Sequence, residues 1–162
     1  MKSTQASRAS PALHGGRNIH QRDHQMNAIV GAWKLASVQW EDAASGALTD
    51  MYGRQPLGSL IFSESGRMSA TLMSSDRHDP KDAADEAALF RSMMAYAAAY
   101  TLQGEDTLLL DVDAAWFPSW IGGRHVRYYQ LDGDVLSIRS ARTTHPKWGS
   151  EPGCVVMVWR RM

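Results

Sequence analysis

From residue 28 onward, apolar and polar side chains alternate in short runs that end at turn signals. Alternation of this kind, with Gly, Asp and Ser between the runs, is typical of half-buried strands. The pattern predicts eight strands, over residues 29–41, 57–63, 67–74, 96–103, 107–114, 123–131, 135–140 and 154–162. Most are joined as hairpins, and Asp132-Gly133 is the strongest of the short turn signals.

One segment changes its period from two residues to about 3.6. Ala83, Ala87, Phe90 and Met94 recur at helical spacing after Asp79-Pro80, a pair suited to a helix N-cap followed by the first helical residue. The spacing predicts one amphipathic helix over residues 80–93, inserted between the third and fourth strands.

Successive hairpins with a single helix predict an all-β fold, an eight-stranded up-and-down antiparallel barrel over residues 28–162. A barrel of eight strands has an interior that side chains can fill or that can hold one small ligand. Residues 1–27 are rich in Ser, Arg, His, Gln and Gly and show no periodicity, which predicts a disordered tail outside the barrel.

Charge and cysteine content exclude several classes of function. Lys plus Arg and Asp plus Glu both number 17, so nothing favours nucleic acid or an anionic membrane surface as a partner. No apolar run approaches the ~20 residues of a membrane helix, and residues 1–27 lack the apolar core of a secretory signal. Cys154 is the only cysteine, which rules out an intrachain disulfide and fits a reducing, cytoplasmic setting. Its apolar surroundings predict an inert core residue rather than a nucleophile.

The sixth strand carries the most informative candidates. His125, Arg127, Tyr129 and Leu131 share one face, and if Leu131 marks the interior, the three polar side chains line a cavity. An interior arginine needs an acid, water or a ligand as its partner. Two alternatives stay open at this point: a ligand, or a rim carboxylate such as Glu41 or Asp113.

Further candidate ligand contacts come from other elements. Tyr96 and Tyr100 share a face of the fourth strand, Met68 lies on the apolar face of the third, and Trp120 closes one barrel end from the bend at 116–123. Core packing is the alternative for each. His78 and His145 are placed in loops at the barrel mouth, but two histidines without a third ligand do not predict a metal site, and no cofactor motif is present.

Several stretches in the right order resemble the bacterial and fungal lipocalin-like domain family. They are Val30-Gly31-Ala32-Trp33-Lys34-Leu35, the strands around Gly58–Phe62 and Gly66–Ser69, Phe117–Gly122 with His125–Arg127, Leu131–Leu136, and the closing Val158–Arg161. The resemblance covers residues 28–162. It implies a small calyx with a helix over or beside one opening.

The resemblance also implies a structural pair. The Trp of the Gly-x-Trp signature, here Trp33, packs at the closed end of such barrels against an Arg of the last strand, here Arg161. Relatives often carry histidine in the fifth strand, where this chain has Leu110 and Asp111, so no role of those histidines carries over.

The sequence favours binding of a small, largely apolar molecule in the barrel, with Arg127, His125 and the tyrosines at its polar end. The alternative is a cofactor-independent cyclase or isomerase of secondary metabolism, in which Arg127 or a tyrosine stabilises an oxyanion and His125 moves a proton. A filled barrel acting through its surface is a third possibility, and a homodimer is a possible assembly.

Overall fold

A computed structural model describes residues 28–145 and 149–162, in which ten strands form one antiparallel sheet. The strands are β1 (Gly31–Asp42), β2 (Leu48–Asp50), β3 (Leu57–Phe62), β4 (Arg67–Met73), β5 (Met93–Gln103), β6 (Thr107–Ala115), β7 (Arg124–Asp132), β8 (Val135–Ser140), β9 (Thr143–His145) and β10 (Gly149–Arg161). One helix, α1 (Ala83–Arg91), precedes β5, and a 3₁₀ turn (Pro118–Trp120) precedes β7.

The sheet closes on itself because β1 pairs with both β3 and β10. The β1–β10 ladder runs from Trp33 opposite Arg161 to Asp42 opposite Gly153. Two short strands, β2 and β9, only extend β1 and β10 beyond the barrel wall. The predicted eight-stranded antiparallel barrel is therefore confirmed.

The two ends of the barrel are built differently. The tight turns at 63–66, 104–106 and 133–134 gather at the end where β1 begins and β10 finishes, which we call the floor. The connections that carry α1 and the 3₁₀ turn lie at the opposite end, which we call the mouth. Short turns close the floor, and longer segments cover the mouth.

Alternate side chains of each strand fill the interior, as the period of two requires. The buried set is almost wholly apolar, and no charged residue among the described ones is fully buried. Its largest fully buried members are Trp33, Trp159, Phe62, Ile29, Leu60, Leu72, Leu108, Leu110, Leu136 and Val38.

The helix is shorter than the sequence predicts. Asp82, rather than Asp79, caps it, and the Asp82 carboxylate accepts the backbone N–H groups of Ala84 and Asp85 at 2.9 Å. Met93 and Met94 belong to β5, because the β4–β5 ladder extends to Met73 opposite Met93. Hydrogen bonds between strands thus override the helical spacing at the C-terminal end of the predicted helix.

Two other expectations are wrong. His145, placed by the sequence in a loop, lies in strand β9, which pairs with β10, and β10 begins at Gly149 rather than at the predicted Cys154. Cys154 itself is half-exposed and faces outward, because Gly153, Met157 and Trp159 take the inward positions of β10. Its Sγ lies 3.9 Å from Nη1 of Arg139.

The predicted disordered tail, residues 1–27, lies outside the described residues. Within the described ranges, no helix is long and apolar enough to cross a membrane.

Candidate functional site

Strand β7 has the orientation that the alternation predicts. Tyr129 is buried, whereas its neighbour Tyr128 is 46% exposed on the outer face. His125 and Arg127 lie on the same face as Tyr129 and are half-buried. These side chains therefore point toward the barrel interior, with His125 nearest the mouth.

Tyr96, Trp120, His125 and Arg127 meet below the mouth, and we call these four residues the mouth cluster. The Trp120 ring contacts both His125 and Tyr96 edge to face, with centroid distances of 4.8 and 5.6 Å. Pro118 begins the 3₁₀ turn that carries Trp120 across the barrel end. In this structure the Trp120 ring therefore covers Tyr96 and His125.

Arg127 is only partly satisfied by the protein. Its Nη1 donates to the carbonyl oxygen of Val126 at 3.0 Å, and its Nη2 contacts Nδ1 of His125 at 3.2 Å. The β7–β8 ladder ends at Arg127 opposite Ser140, so Val126 lies just beyond the last pair. The Nε atom of Arg127 is buried and has no hydrogen-bond partner among the described residues.

The carboxylates that could neutralise Arg127 are bound to other arginines. Glu41 accepts from Arg139 at 2.8 Å, and Asp113 accepts from Nη2 of Arg67 at 2.9 Å. The pairing of Arg127 with Glu41 or Asp113, one of the two alternatives from the sequence, is therefore wrong. Among the described residues, no salt bridge involves Arg127.

Burial and the neighbouring cation keep His125 neutral. Desolvation lowers the pKa of His125, and the positive charge of Arg127 lowers it further. Because arginine can only donate, Nδ1 of His125 accepts from Arg127, and the ring proton must lie on Nε2. His125 therefore presents an N–H donor, rather than a basic nitrogen, away from Arg127.

Tyr96 adds a phenol to the same region. Burial raises the pKa of Tyr96, and the charge of the Arg127 guanidinium and its hydrogen bond to the Tyr96 hydroxyl oppose that rise. Tyr96 is 7% exposed and remains a neutral hydroxyl at physiological pH. The mouth cluster thus combines one fixed cation with neutral groups that can donate hydrogen bonds.

Two more buried polar atoms on the inner wall have no hydrogen-bond partner among the described residues: the Tyr129 hydroxyl and Trp159 Nε1. Burial raises the pKa of Tyr129, and the negative charge of Asp106 raises it further. Native proteins satisfy the great majority of buried polar atoms, so these exceptions require an explanation.

Tyr100 and Met68, two of the residues predicted to contact a ligand, have roles in the barrel itself. The Tyr100 hydroxyl donates to the backbone oxygen of Ser63 at 2.9 Å, and its ring packs edge to face on Phe62 at 5.0 Å. Met68 is 4% exposed and lies opposite Ala98 in the β4–β5 ladder. Both side chains face the interior, below the mouth cluster.

The larger of the two cavities described, of about 570 Å³, does not reach the mouth cluster. It lies against the flank of the barrel near the floor, and its lining includes the outward-facing Tyr128, Gln130 and Arg139 and the turn residue Asp106. The buried Tyr129, one of the predicted ligand contacts, also lines this cavity. The sequence did not predict it, because turns and outer faces carry no periodic signal for a cavity.

A row of aromatic side chains connects α1 to the mouth. Phe90 stacks on Trp116 with centroids 4.7 Å apart, and Trp116 Nε1 donates to the backbone oxygen of Phe90 at 3.0 Å. Phe117 bridges Phe90 and Trp120 at 6.2 and 5.5 Å. The helical spacing predicts Phe90 on the buried face of an amphipathic helix, but its side chain is 44% exposed. The spacing gave no indication of its contacts with Trp116 and Phe117.

The floor contains the predicted structural pair. Arg161 lies over the Trp33 ring, with its Cζ 4.1 Å from the ring centroid, and Trp33 Nε1 donates to the backbone oxygen of Ile29 at 2.9 Å. The guanidinium donates to the carbonyls of Ala28 and Val30. Gly31 allows this approach, because its φ of +133° suits glycine and a Cβ there would lie 3.2 Å from Nη1 of Arg161.

The two histidines expected in mouth loops do not form a site. His78 contacts Asp85 at 3.8 Å beside α1, and the side chain of His145 lies outside the described residues. Within the part of the chain that the structure describes, no group of three or more His, Cys, Asp or Glu side chains could hold a metal ion.

Comparison with known proteins gives one finding. The family described as lipocalin-like domain matches residues 30–162, which is the whole barrel. No curated protein sequence matches the chain.

Proposed function

Because the chain belongs to the lipocalin-like domain family, we propose that it binds one small, largely apolar molecule inside the barrel, with Arg127, His125, Tyr96 and Tyr129 at the polar end. The observation that carries this proposal is the buried Nε of Arg127, which has no acceptor among the described residues. A barrel that only needed a dry core would gain stability from an apolar residue at this position.

The surroundings of Arg127 support an apolar ligand. Its cross-strand neighbour on β6 is Leu108, and Leu110 lies opposite His125. Both leucines are 1% exposed. Ligand sites are mostly apolar with a few directed polar groups, which is the composition found here.

Trp120 would have to move for the molecule to reach Arg127. Its ring is half-buried and is carried by a three-residue turn, not by a barrel strand. Short connecting segments open at a lower free-energy cost than the strands that they join. We therefore propose that Trp120 covers the site. When the ligand binds, it replaces the contacts that Trp120 makes with Tyr96 and His125.

The test uses the neutral apolar fluorophore N-phenyl-1-naphthylamine and two matched variants. Ala98 is fully buried and faces the interior from β5, whereas its neighbour Ala97 is half-buried on the outer face. Titration of the wild-type chain should show saturable binding of one probe. Ala98→Leu should weaken that binding by about tenfold, because it fills interior space, and Ala97→Leu should leave it unchanged.

Thermal unfolding of both variants checks that each remains folded. Absence of saturable binding to the wild-type chain would favour the filled barrel and overturn the proposal. Equal binding by all three proteins would place the probe outside the barrel, with the same consequence.

The mouth cluster also favours a second candidate, a cofactor-independent cyclase or isomerase of a natural-product intermediate. The Arg127 cation and the hydroxyl of Tyr96 can stabilise an oxyanion that develops on a bound carbonyl. His125 carries its proton on Nε2, so it would donate that proton to the carbonyl oxygen while a water molecule takes the α-proton, and the reverse transfers would restore His125. NMR can test this by following exchange of the α-protons of 2-tetralone in D₂O. Equal rates for the wild-type chain and His125→Gln would remove this candidate.

A further inference from the structure

We infer that the molecule bound in the barrel carries a carboxylate, which pairs with Arg127 and with the Nε2–H of His125. The inference rests on the proposed function and specifies the chemical class of the ligand. It depends on the balance of charges around Arg127 and on the direction of the free hydrogen-bonding groups.

The charge balance comes first. Arginine stays protonated at every physiological pH, so Arg127 contributes a permanent positive charge to the inner wall. The acidic side chains of β6, Asp111 and Asp113, face outward and pair with Arg124 and Arg67. Asp106, in the turn before β6, accepts from Thr107, and its charge acts on Tyr129. Within the described part of the chain the charge of Arg127 has no anionic partner. A ligand that brings one negative charge would supply it.

The hydrogen-bonding groups come second. Arg127 Nε is a donor, the ring proton of His125 lies on Nε2, and Tyr96 can donate its hydroxyl proton. An anion with two oxygens can accept from several such donors at once, and hydrogen bonds between ionised partners are about twice as strong as neutral ones. A neutral alcohol or amide would fill one of these positions and leave the positive charge uncompensated.

The surroundings of the cluster come third. Trp120 and Tyr96 present aromatic rings beside His125, and such surfaces suit a flat, apolar body next to the carboxylate. A simple inorganic anion would gain nothing from these rings. The geometry therefore points to an aromatic or conjugated carboxylic acid, not to a free phosphate or sulfate ion.

The experiment compares 2-naphthoate with 2-naphthamide, two probes of nearly equal shape that differ by one charge. Isothermal titration calorimetry on the full chain near neutral pH should give an affinity for the naphthoate about tenfold or more above that for the amide. Arg127→Leu should reduce this preference to about twofold or less by weakening the naphthoate alone.

Arg124→Leu is the matched control, because Arg124 lies on the same strand and faces outward in an ion pair with Asp111. It removes the same charge from the outside of the barrel and should keep the wild-type preference. Arg127→Lys keeps the charge but loses the planar guanidinium, and it should retain a preference for naphthoate. This variant keeps the test valid if Arg127→Leu does not fold.

The outcomes separate this inference from the proposed function. If the wild-type chain binds N-phenyl-1-naphthylamine but shows no preference for naphthoate, the ligand is not an anion, and the barrel still binds apolar molecules. If the preference survives in Arg127→Leu, Arg127 is not the anchor. If none of the three probes binds, both proposals fail together.

Discussion

The two ends of the barrel each place an arginine against a tryptophan, and the two arginines differ in what surrounds them. At the floor, the guanidinium of Arg161 lies over Trp33, donates to two backbone carbonyls and pairs with Asp134 at 3.3 Å. At the mouth, Arg127 lies in a cluster with Trp120, has no carboxylate among the described residues and leaves Nε without an acceptor. The same two residue types are thus satisfied to different degrees at the two ends.

The difference separates an arginine that the chain itself satisfies from one that it leaves partly unsatisfied. The polar atoms of Arg161 are satisfied by the chain itself, so replacing it removes contacts that hold β1, β10 and Ala28 together. Arg127 is held by one carbonyl, one imidazole and the neighbouring Tyr96 hydroxyl, all of them neutral, so the folded protein gains little from its charge. We therefore expect the floor to determine stability and the mouth to determine binding.

The largest expected effect concerns the two tryptophans. Trp33→Ala should lower the free energy of unfolding by about 3–5 kcal/mol, because the side chain is fully buried. Trp120→Ala should cost about 1 kcal/mol, because Trp120 is half-buried and mobile in our proposal. Urea unfolding followed by circular dichroism measures both.

The two tryptophan variants can also contradict the proposed difference between floor and mouth. If Trp120→Ala destabilised the chain as much as Trp33→Ala, the mouth would be as rigid as the floor and Trp120 would not act as a cover. Stopped-flow mixing with N-phenyl-1-naphthylamine adds a second readout: Trp120→Ala should associate faster than the wild-type chain.

A smaller effect is expected for the two arginines. Arg161→Leu should cost about 2–3 kcal/mol, since it removes a cation–π contact and the hydrogen bonds to the carbonyls of Ala28 and Val30. The free energy of unfolding of Arg127→Leu should lie within about 1 kcal/mol of that of the wild-type chain, or above it, because the substitution removes an unpaired charge from the inner wall. Equal losses in urea unfolding would contradict the distinction between the two ends.

The smallest effect concerns pH and His125. Burial and Arg127 lower the pKa of His125 in the folded chain, so the unfolded chain binds this proton more readily. His125 contributes nothing to the pH dependence of the free energy of unfolding above the unfolded pKa of about 6.5. As the pH falls from there toward the folded pKa, the unfolded chain gains a proton that the folded chain does not, and stability is lost. His125→Gln should therefore lose less stability than the wild-type chain between about pH 7 and about pH 5.

The control for the pH experiment is His78→Gln, since the His78 side chain is 65% exposed beside α1. It removes an imidazole from the outside of the barrel and gives the reference curve for losing an exposed histidine. A His125→Gln curve parallel to that of the wild-type chain would show that His125 titrates as it does in the unfolded state.

The alternation of side chains predicted much of the fold. The barrel, the inward face of β7 and the outward direction of Asp111 and Asp113 all follow from a period of two, because successive side chains on a strand must face opposite sides. The spacing predicted a helix here but not its length. The helix ends at Arg91 because Met93 already pairs with Met73 in the ladder between β4 and β5. Local spacing cannot report a hydrogen bond to a strand distant in the chain.

The sequence by itself determined which residues of β7 face inward and that an arginine is among them. Only the tertiary structure decided whether any carboxylate is free to form an ion pair with that arginine. Arg67 lies opposite Ala99, and Asp111 lies opposite the same alanine on the other side of β5, so an outer row of small side chains lets Arg67 reach Asp113. Partner choice among charged side chains depends on register between strands and on the size of the residues between them, and neither can be read along the chain.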